Sequence, residues 1–151
     1  MKRLLVVVGL VLALEAQAQA DEATAVQAIQ KLGGGVSLYR DEKQPGKPVT
    51  RVYLGSTKVT DAVLKDLKEL KQLRELSLNG EVTGAGLKDL KELKELRKLS
   101  LNGTKVTEAW LKDLKELKQL RTLWLANTEV TDAVLKDLWT SPRMVDTQLR
   151  V

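Results

Sequence analysis

Leucine and valine return along this chain at a fixed interval. A Val-Thr pair stands at Val59-Thr60, Val82-Thr83, Val106-Thr107 and Val130-Thr131, with spacings of 23, 24 and 24 residues. A Leu-Lys-Asp-Leu run begins at Leu64, Leu87, Leu111 and Leu135 with the same spacings. Four tandem units follow, at residues 49–72, 73–95, 96–119 and 120–143, and the second has lost one residue between Leu78 and Val82. Self-similarity at a period of this size is the sequence mark of a stacked repeat architecture.

Each unit is written in two periods. In Leu96-x-x-Leu99-x-Leu101 the apolar residues end in strict alternation, which predicts a strand. Over residues 107–114 the spacing turns helical. Thr107 is placed to cap that helix, and Glu108 stands at the positive end of its dipole. Thr60-Asp61 and Thr131-Asp132 offer the same pair, whereas Thr83-Gly84-Ala85-Gly86 puts two glycines in the first turn and predicts the weakest of the helices. One unit has no way to bury its own leucines, but stacked units do, with strands about 4.8 Å apart and apolar positions aligned in columns. The columns read Val52, Leu76, Leu99, Leu123; Leu54, Leu78, Leu101, Leu125; Val59, Val82, Val106, Val130; and, on the helical side, Leu64, Leu87, Leu111, Leu135.

Two other readings of the pattern are weaker. Leu64, Leu67, Leu70, Leu73 and Leu76 suggest a single long helix, but a three-residue spacing drifts around a helix and makes no heptad. Asn79-Gly80 and Asn102-Gly103 suggest hairpins. The regular period argues instead that they are the turns leaving parallel strands.

The unit Leu-x-x-Leu-x-Leu-x-x-Thr-x-Val-Thr-x-x-x-Leu resembles the leucine-rich repeat. It covers about two-thirds of the chain. The Val-Thr-Asp-Ala-x-Leu wording is similar to the cysteine-containing subclass and to bacterial secreted repeat proteins. Thr57, Thr104 and Thr128 stand where that subclass has Cys or Asn, and a Thr hydroxyl can still bond a nearby backbone group in the turn. The resemblance implies an α/β fold, a right-handed leucine-rich repeat solenoid with a parallel concave sheet and short convex helices. No F-box accompanies the repeats, so no ubiquitin-ligase role is implied.

Outside the repeats the pattern changes. Met1-Lys2-Arg3 followed by an apolar run over residues 4–14, with Ala18-Gln19-Ala20 behind it, reads as a secretory signal peptide over residues 1–20. The run is short for a bilayer span, and no stable membrane insertion is expected after cleavage. In the uncleaved chain these residues should form a detached helix. Residues 21–32 read as a capping helix with Val26, Ile29 and Leu32 on one face, ended by Gly33-Gly34-Gly35. Residues 36–40 read as a short strand and 41–48 as a loop, so that residues 21–48 make a capping helix and flap. Whether residues 36–40 join the repeat sheet is not legible. At the other end, residues 144–151 fall in register for a partial fifth strand. Trp139 is expected to cover the open end, and the edge offers a surface for self-association.

Composition narrows the chemistry. The 151 residues carry 25 Lys and Arg against 20 Asp and Glu, a formal charge of +5, and no His, Cys or Phe. Removing Lys2, Arg3 and Glu15 with the signal lowers the charge to +4. Without Cys and His there is no disulfide framework, no zinc site of the usual kind, no thiol nucleophile and no imidazole base. Ser37, Ser56, Ser77, Ser100 and Ser141 have no catalytic motif around them, and no enzyme, cofactor or metal is expected. A +4 charge spread over mixed-sign stripes, with 3% aromatic residues, excludes a nucleic-acid platform. Lys65-Asp66, Lys88-Asp89, Lys112-Asp113 and Lys136-Asp137 form such stripes on the convex side and read as a solubilising surface of weak ion pairs.

Strand residues between the core leucines face the concave side, where solenoids bind. One column holds Tyr53, Ser77, Ser100 and Trp124; a second Arg51, Glu75, Lys98 and Thr122; a third Gly55, Asn79, Asn102 and Ala126. Tyr53, Trp124, Arg51 and Lys98, with Ser77 and Ser100 between them, are the candidate contacts, because Tyr, Trp and Arg make good anchors. The reading is a secreted, periplasmic or cell-envelope binding module for a protein or glycan. The alternative is a structural, self-associating repeat fragment without its own ligand.

Overall fold

The computed structural model describes residues 2–32, 35–111 and 113–131. A long helix α1 (Lys2–Gln30) leads into β1 (Val36–Arg40) and β2 (Val49–Val59). The coils then alternate as α2 (Asp61–Leu67), β3 (Glu75–Gly80), α3 (Gly84–Leu87), β4 (Lys98–Ser100), α4 (Glu108–Leu111) and β5 (Thr122–Trp124). A 3-10 turn continues α3 over Lys88–Glu92, and another follows α4 over Asp113–Glu116. The five strands form one sheet in chain order.

The columns that begin at Val52 and Leu54 follow the register of that sheet, whereas Val59 pairs with Gly80 and not with Val82. Val52 pairs with Leu76, Leu76 with Leu99 and Leu99 with Leu123, all parallel. Leu54 pairs with Leu78 in the same sense. Between the coils, the amides of Arg74, Arg97 and Arg121 donate to the carbonyls of Thr50, Arg74 and Arg97, each at 2.8 Å. Every strand thus satisfies its backbone on the next coil, which is why parallel coils stack without hairpins. Leu64, Leu67, Leu70, Leu73 and Leu76 are all buried, but Leu64 and Leu67 lie on α2 and Leu76 on β3. No rod runs through them, and their leucines close one core with those of the neighbouring coils. This is an α/β solenoid of leucine-rich repeats.

The turns out of the strands explain why strand length varies. Gly80, Gly103 and Asn127 hold the left-handed conformation, with φ of 112°, 69° and 57°. Gly adopts it without steric cost and Asn at low cost. The equivalent place in the first coil is Ser56, which is not in that conformation. There β2 runs on to Val59, well past the expected end at Leu54, and after a register shift Val59 pairs with Gly80. Below the turns the Thr104 hydroxyl donates to the Leu101 carbonyl at 2.6 Å, and the Thr128 hydroxyl to Leu125 at 2.7 Å. These bonds spend a buried hydroxyl at Thr104, and a part-buried one at Thr128, on a turn carbonyl.

Three sequence expectations change at the N-terminus and along the convex side. Residues 2–20 do not form a helix of their own: α1 is continuous through residues 20 and 21 to Gln30. Its first part projects, with Leu10, Leu12 and Leu14 each at least 60% exposed, while Ala25, Val26 and Ile29 are buried in the core. Glu22 pins this second part, since its Oε1 accepts from Arg40 at 2.8 Å and from the Val49 amide at 3.2 Å. Thr60 occupies the N-cap of α2 but makes no capping bond with its side chain, whereas the Thr83 hydroxyl accepts from the Ala85 amide at 3.3 Å. The two glycines do not single α3 out in length, because α4 is also one turn long. They make room: a Cβ at Gly84 would lie 3.3 Å from that of the buried Trp110, and one at Gly86 would strike the Asp61 carboxylate. Leu135, Trp139, the pair Lys136-Asp137, Lys112 and the fifth-strand segment 144–151 lie outside the described residues.

Candidate functional site on the concave face

The strand register sets the candidate residues side by side. Arg51, Glu75, Lys98 and Thr122 form one row across β2 to β5, and Tyr53, Ser77, Ser100 and Trp124 form the next. Val52 and Leu54 alternate with them and are fully buried, so both rows face away from the core. All six sequence-predicted residues therefore share one face. The third row is partly structural, since the Asn102 side chain accepts the Ala126 amide at 2.8 Å.

The antiparallel strand β1 adds what the repeats lack. It sets Ser37 opposite Tyr53 and Tyr39 opposite Arg51. The Tyr39 and Tyr53 rings meet edge to face, 5.7 Å between centroids at 86°. The Arg51 guanidinium lies 5.7 Å from the Tyr39 centroid, within cation–π range. On the other side, the Tyr53 hydroxyl donates to Glu75 Oε2 at 3.0 Å, and Lys98 Nζ reaches Glu75 Oε1 at 3.0 Å. A continuous line of contacts, Tyr39–Tyr53–Glu75–Lys98, thus crosses four strands.

The electrostatics follow from this clamp. Partial burial pushes the Glu75 carboxyl up, but the hydrogen bonds from Lys98 and Tyr53 and the charges of Lys98 and Arg51 outweigh it and hold it below the usual range. Burial, the bond to Glu75 and the Glu75 charge push the Tyr53 phenol up, against the opposing Arg51. Glu75 has both oxygens engaged within the face. What the face offers outward is aromatic edge, guanidinium and ammonium over half-buried serines.

Tyr39 and the clamping role of Glu75 were not among the candidates read from sequence. Glu75 had a signal, the sign alternation Arg51, Glu75, Lys98 down one column. Tyr39 had only its place in a short strand outside the repeat, whose partner no periodicity specifies. Elsewhere, a cleft of about 250 Å³ between α1 and α2 is lined by Asp21, Thr24, Ala25, Asp66 and Glu69, with neither an aromatic nor a cationic group. Among the described residues no group of three or more His, Cys, Asp or Glu is placed to hold a metal ion. Among them, too, no helix is long and apolar enough to cross a membrane.

No family model matches the sequence, and no curated protein matches it. Among solved structures the chain is similar to internalin C2 of Listeria monocytogenes, at 23% identity over 57% of this chain and 36% of that one, with a TM-score of 0.45. It is similar to an internalin F of the same organism, at 22% identity over 68% of this chain and 35% of that one, with a TM-score of 0.46. The ectodomain of the receptor kinase SOBIR1 from Arabidopsis thaliana matches at 16% identity over 86% of this chain and 90% of that one, with a TM-score of 0.45. The chain spans about a third of the length of the two internalins. The leucine-rich repeat architecture itself stands on the chain's own register, coil by coil.

Proposed function

We propose that this chain is a secreted, non-enzymatic binding module that recognises a protein partner through the concave face of its solenoid. One observation carries the reading. Beyond the projecting part of α1, the exposed large apolar side chains among the described residues are Tyr39 and Tyr53, and they touch each other on that face. Packed aromatic pairs beside an arginine are the composition of binding hot spots. Residues 1–20 are read as a signal removed on export. The apolar side chains described in that segment point into solvent, where the folded domain has no use for them. The repeats occupy residues 49–143, with residues 21–48 as cap and flap.

The test is capture of extracellular proteins by the exported chain and by its Tyr53→Ala/Trp124→Ala double variant. The reading expects specific captured proteins to be lost with the double variant while its circular dichroism is unchanged. Identical capture by both proteins overturns it. N-terminal sequencing of the exported product checks the signal, and Asp21 is the expected first residue.

A further inference from the structure

We propose that the face takes an extended acidic protein segment, with a carboxylate seated against Arg51 and an apolar side chain about four residues away against Trp124. This rests on the concave-face reading and names the chemistry of its partner.

Charge comes first. The acidic group in the two rows is Glu75, and Tyr53 and Lys98 hold both its oxygens. The cations of the same rows are Arg51 and Lys98. Arg51 lies against the Tyr39 ring, and no carboxylate forms an ion pair with it among the described residues. Its side chain also bonds the Tyr53 hydroxyl, but a guanidinium has five N–H donors, and the rest serve a carboxylate that arrives from outside.

Shape comes second. Tyr39 and Tyr53 meet at 86° and the Tyr53 hydroxyl is committed to Glu75, so the corner presents edges and a slot. It is no flat platform for sugar rings. Between Tyr53 and Trp124 the row holds Ser77 and Ser100. Small hydroxylated side chains let a backbone lie close and offer it hydrogen bonds.

Spacing comes third. From β2 to β5 there are three strand intervals, roughly 14 Å at about 4.8 Å each. An extended chain rises about 3.4 Å per residue, so the two anchors are about four residues apart along a bound segment.

The experiment uses fluorescein-labelled peptides in an extended Ser/Thr background, each with one Glu and one Tyr. The Tyr stands at the first, fourth or eighth position after the Glu. A fourth peptide replaces Glu by Lys, and polygalacturonate serves as an acidic glycan. By anisotropy, the four-residue spacing should bind the exported chain about tenfold tighter than the other peptides or the glycan. Arg51→Gln and Trp124→Ala should each weaken it about tenfold, and the Arg51 change leaves the core untouched if the Trp124 change disturbs folding. Equal binding of the lysine peptide, indifference to spacing, preference for the glycan, or no peptide binding overturns the proposal. Any of these with capture still lost in the Tyr53/Trp124 double variant sinks the acidic-segment inference alone. Capture unchanged in that variant sinks the face reading beneath it.

Discussion

The Asp61 carboxylate accepts two hydrogen bonds from Thr83, one coil further on: from its amide at 2.9 Å and from its hydroxyl at 2.6 Å. The Glu108 carboxylate takes the hydroxyl of Thr131 in the same way. Asp61 and Glu108 therefore each serve the next coil as well as the dipole of their own helix. Between these two links the second coil has Gly84 at the equivalent place. Asp61→Ala should lower stability by about 1–2 kcal/mol in urea unfolding, with Asn recovering part of it. A loss within error for Asp61→Ala would show that solvent satisfies Thr83 equally well.

Gly86 is tied to the same link. A Cβ there would strike the Asp61 carboxylate, so Gly86→Ala must displace it despite the better helix propensity of Ala. Gly86→Ala should cost about 1–3 kcal/mol in the native background and much less beside Asp61→Gly, which also removes the Asp61 Cβ that would lie 2.7 Å away. A double-mutant cycle measures this coupling, and simple additivity would show that Asp61 moves aside freely.

Leu99 sits mid-column, between Leu76 and Leu123, and is fully buried. Leu99→Ala should cost about 2–5 kcal/mol. That is much of the ~5–15 kcal/mol that holds a domain folded, so thermal melting should fall sharply. A loss no larger than at an exposed site would show that the coils do not share one core.

The Thr104 hydroxyl is buried and bonded to the Leu101 carbonyl. Thr104→Val keeps the shape but leaves that carbonyl the backbone amide of residue 104, at 3.2 Å, without the shorter hydroxyl bond, at about 1–2 kcal/mol. Thr104→Ser should retain the bond and restore most of the loss, read by chemical denaturation.

Acidification should act through Glu75. Its folded pKa lies below the ordinary value of 4.5, so the stability it contributes is complete above that value and is lost as pH falls through the folded one. Melting temperatures of the native chain and of Glu75→Gln should differ by a constant at about pH 6–8 and converge as pH falls below 4.5 and through the lower folded value. The raised Tyr53 phenol works at the other limb: its contribution is present below 10.0 and disappears as pH climbs through the higher folded value. Parallel curves for the two proteins on the acid side would show that the clamp carries no titratable stability.

The two periods within each unit made the strands and the helical side legible, and the column register from Val52 to Leu123 was readable in advance. So was the row of candidate residues from Tyr53 to Trp124, because period two and fixed spacing leave one face for it. The pairing of Val36–Arg40 was not readable. A flap outside the repeat has no second copy of itself to reveal its register, and Tyr39 arrives beside Tyr53 only through that pairing. The reach of Asp61 to Thr83 and the space at Gly86 were hidden for a related reason, since both depend on the offset between coils. The absence of a turn at Ser56 was not legible, because the unit looks regular there while its backbone stays extended.

Sequence alone thus determined the period, the shared interior and the face that points outward, because these are contacts between equivalent positions repeated at equal intervals. Tertiary structure decided the contacts between unlike positions: Tyr39 on Tyr53, Glu75 between Tyr53 and Lys98, and Asp61 on Thr83. Such contacts occur once, depend on how far one coil is displaced from the next, and leave no periodic trace in the chain.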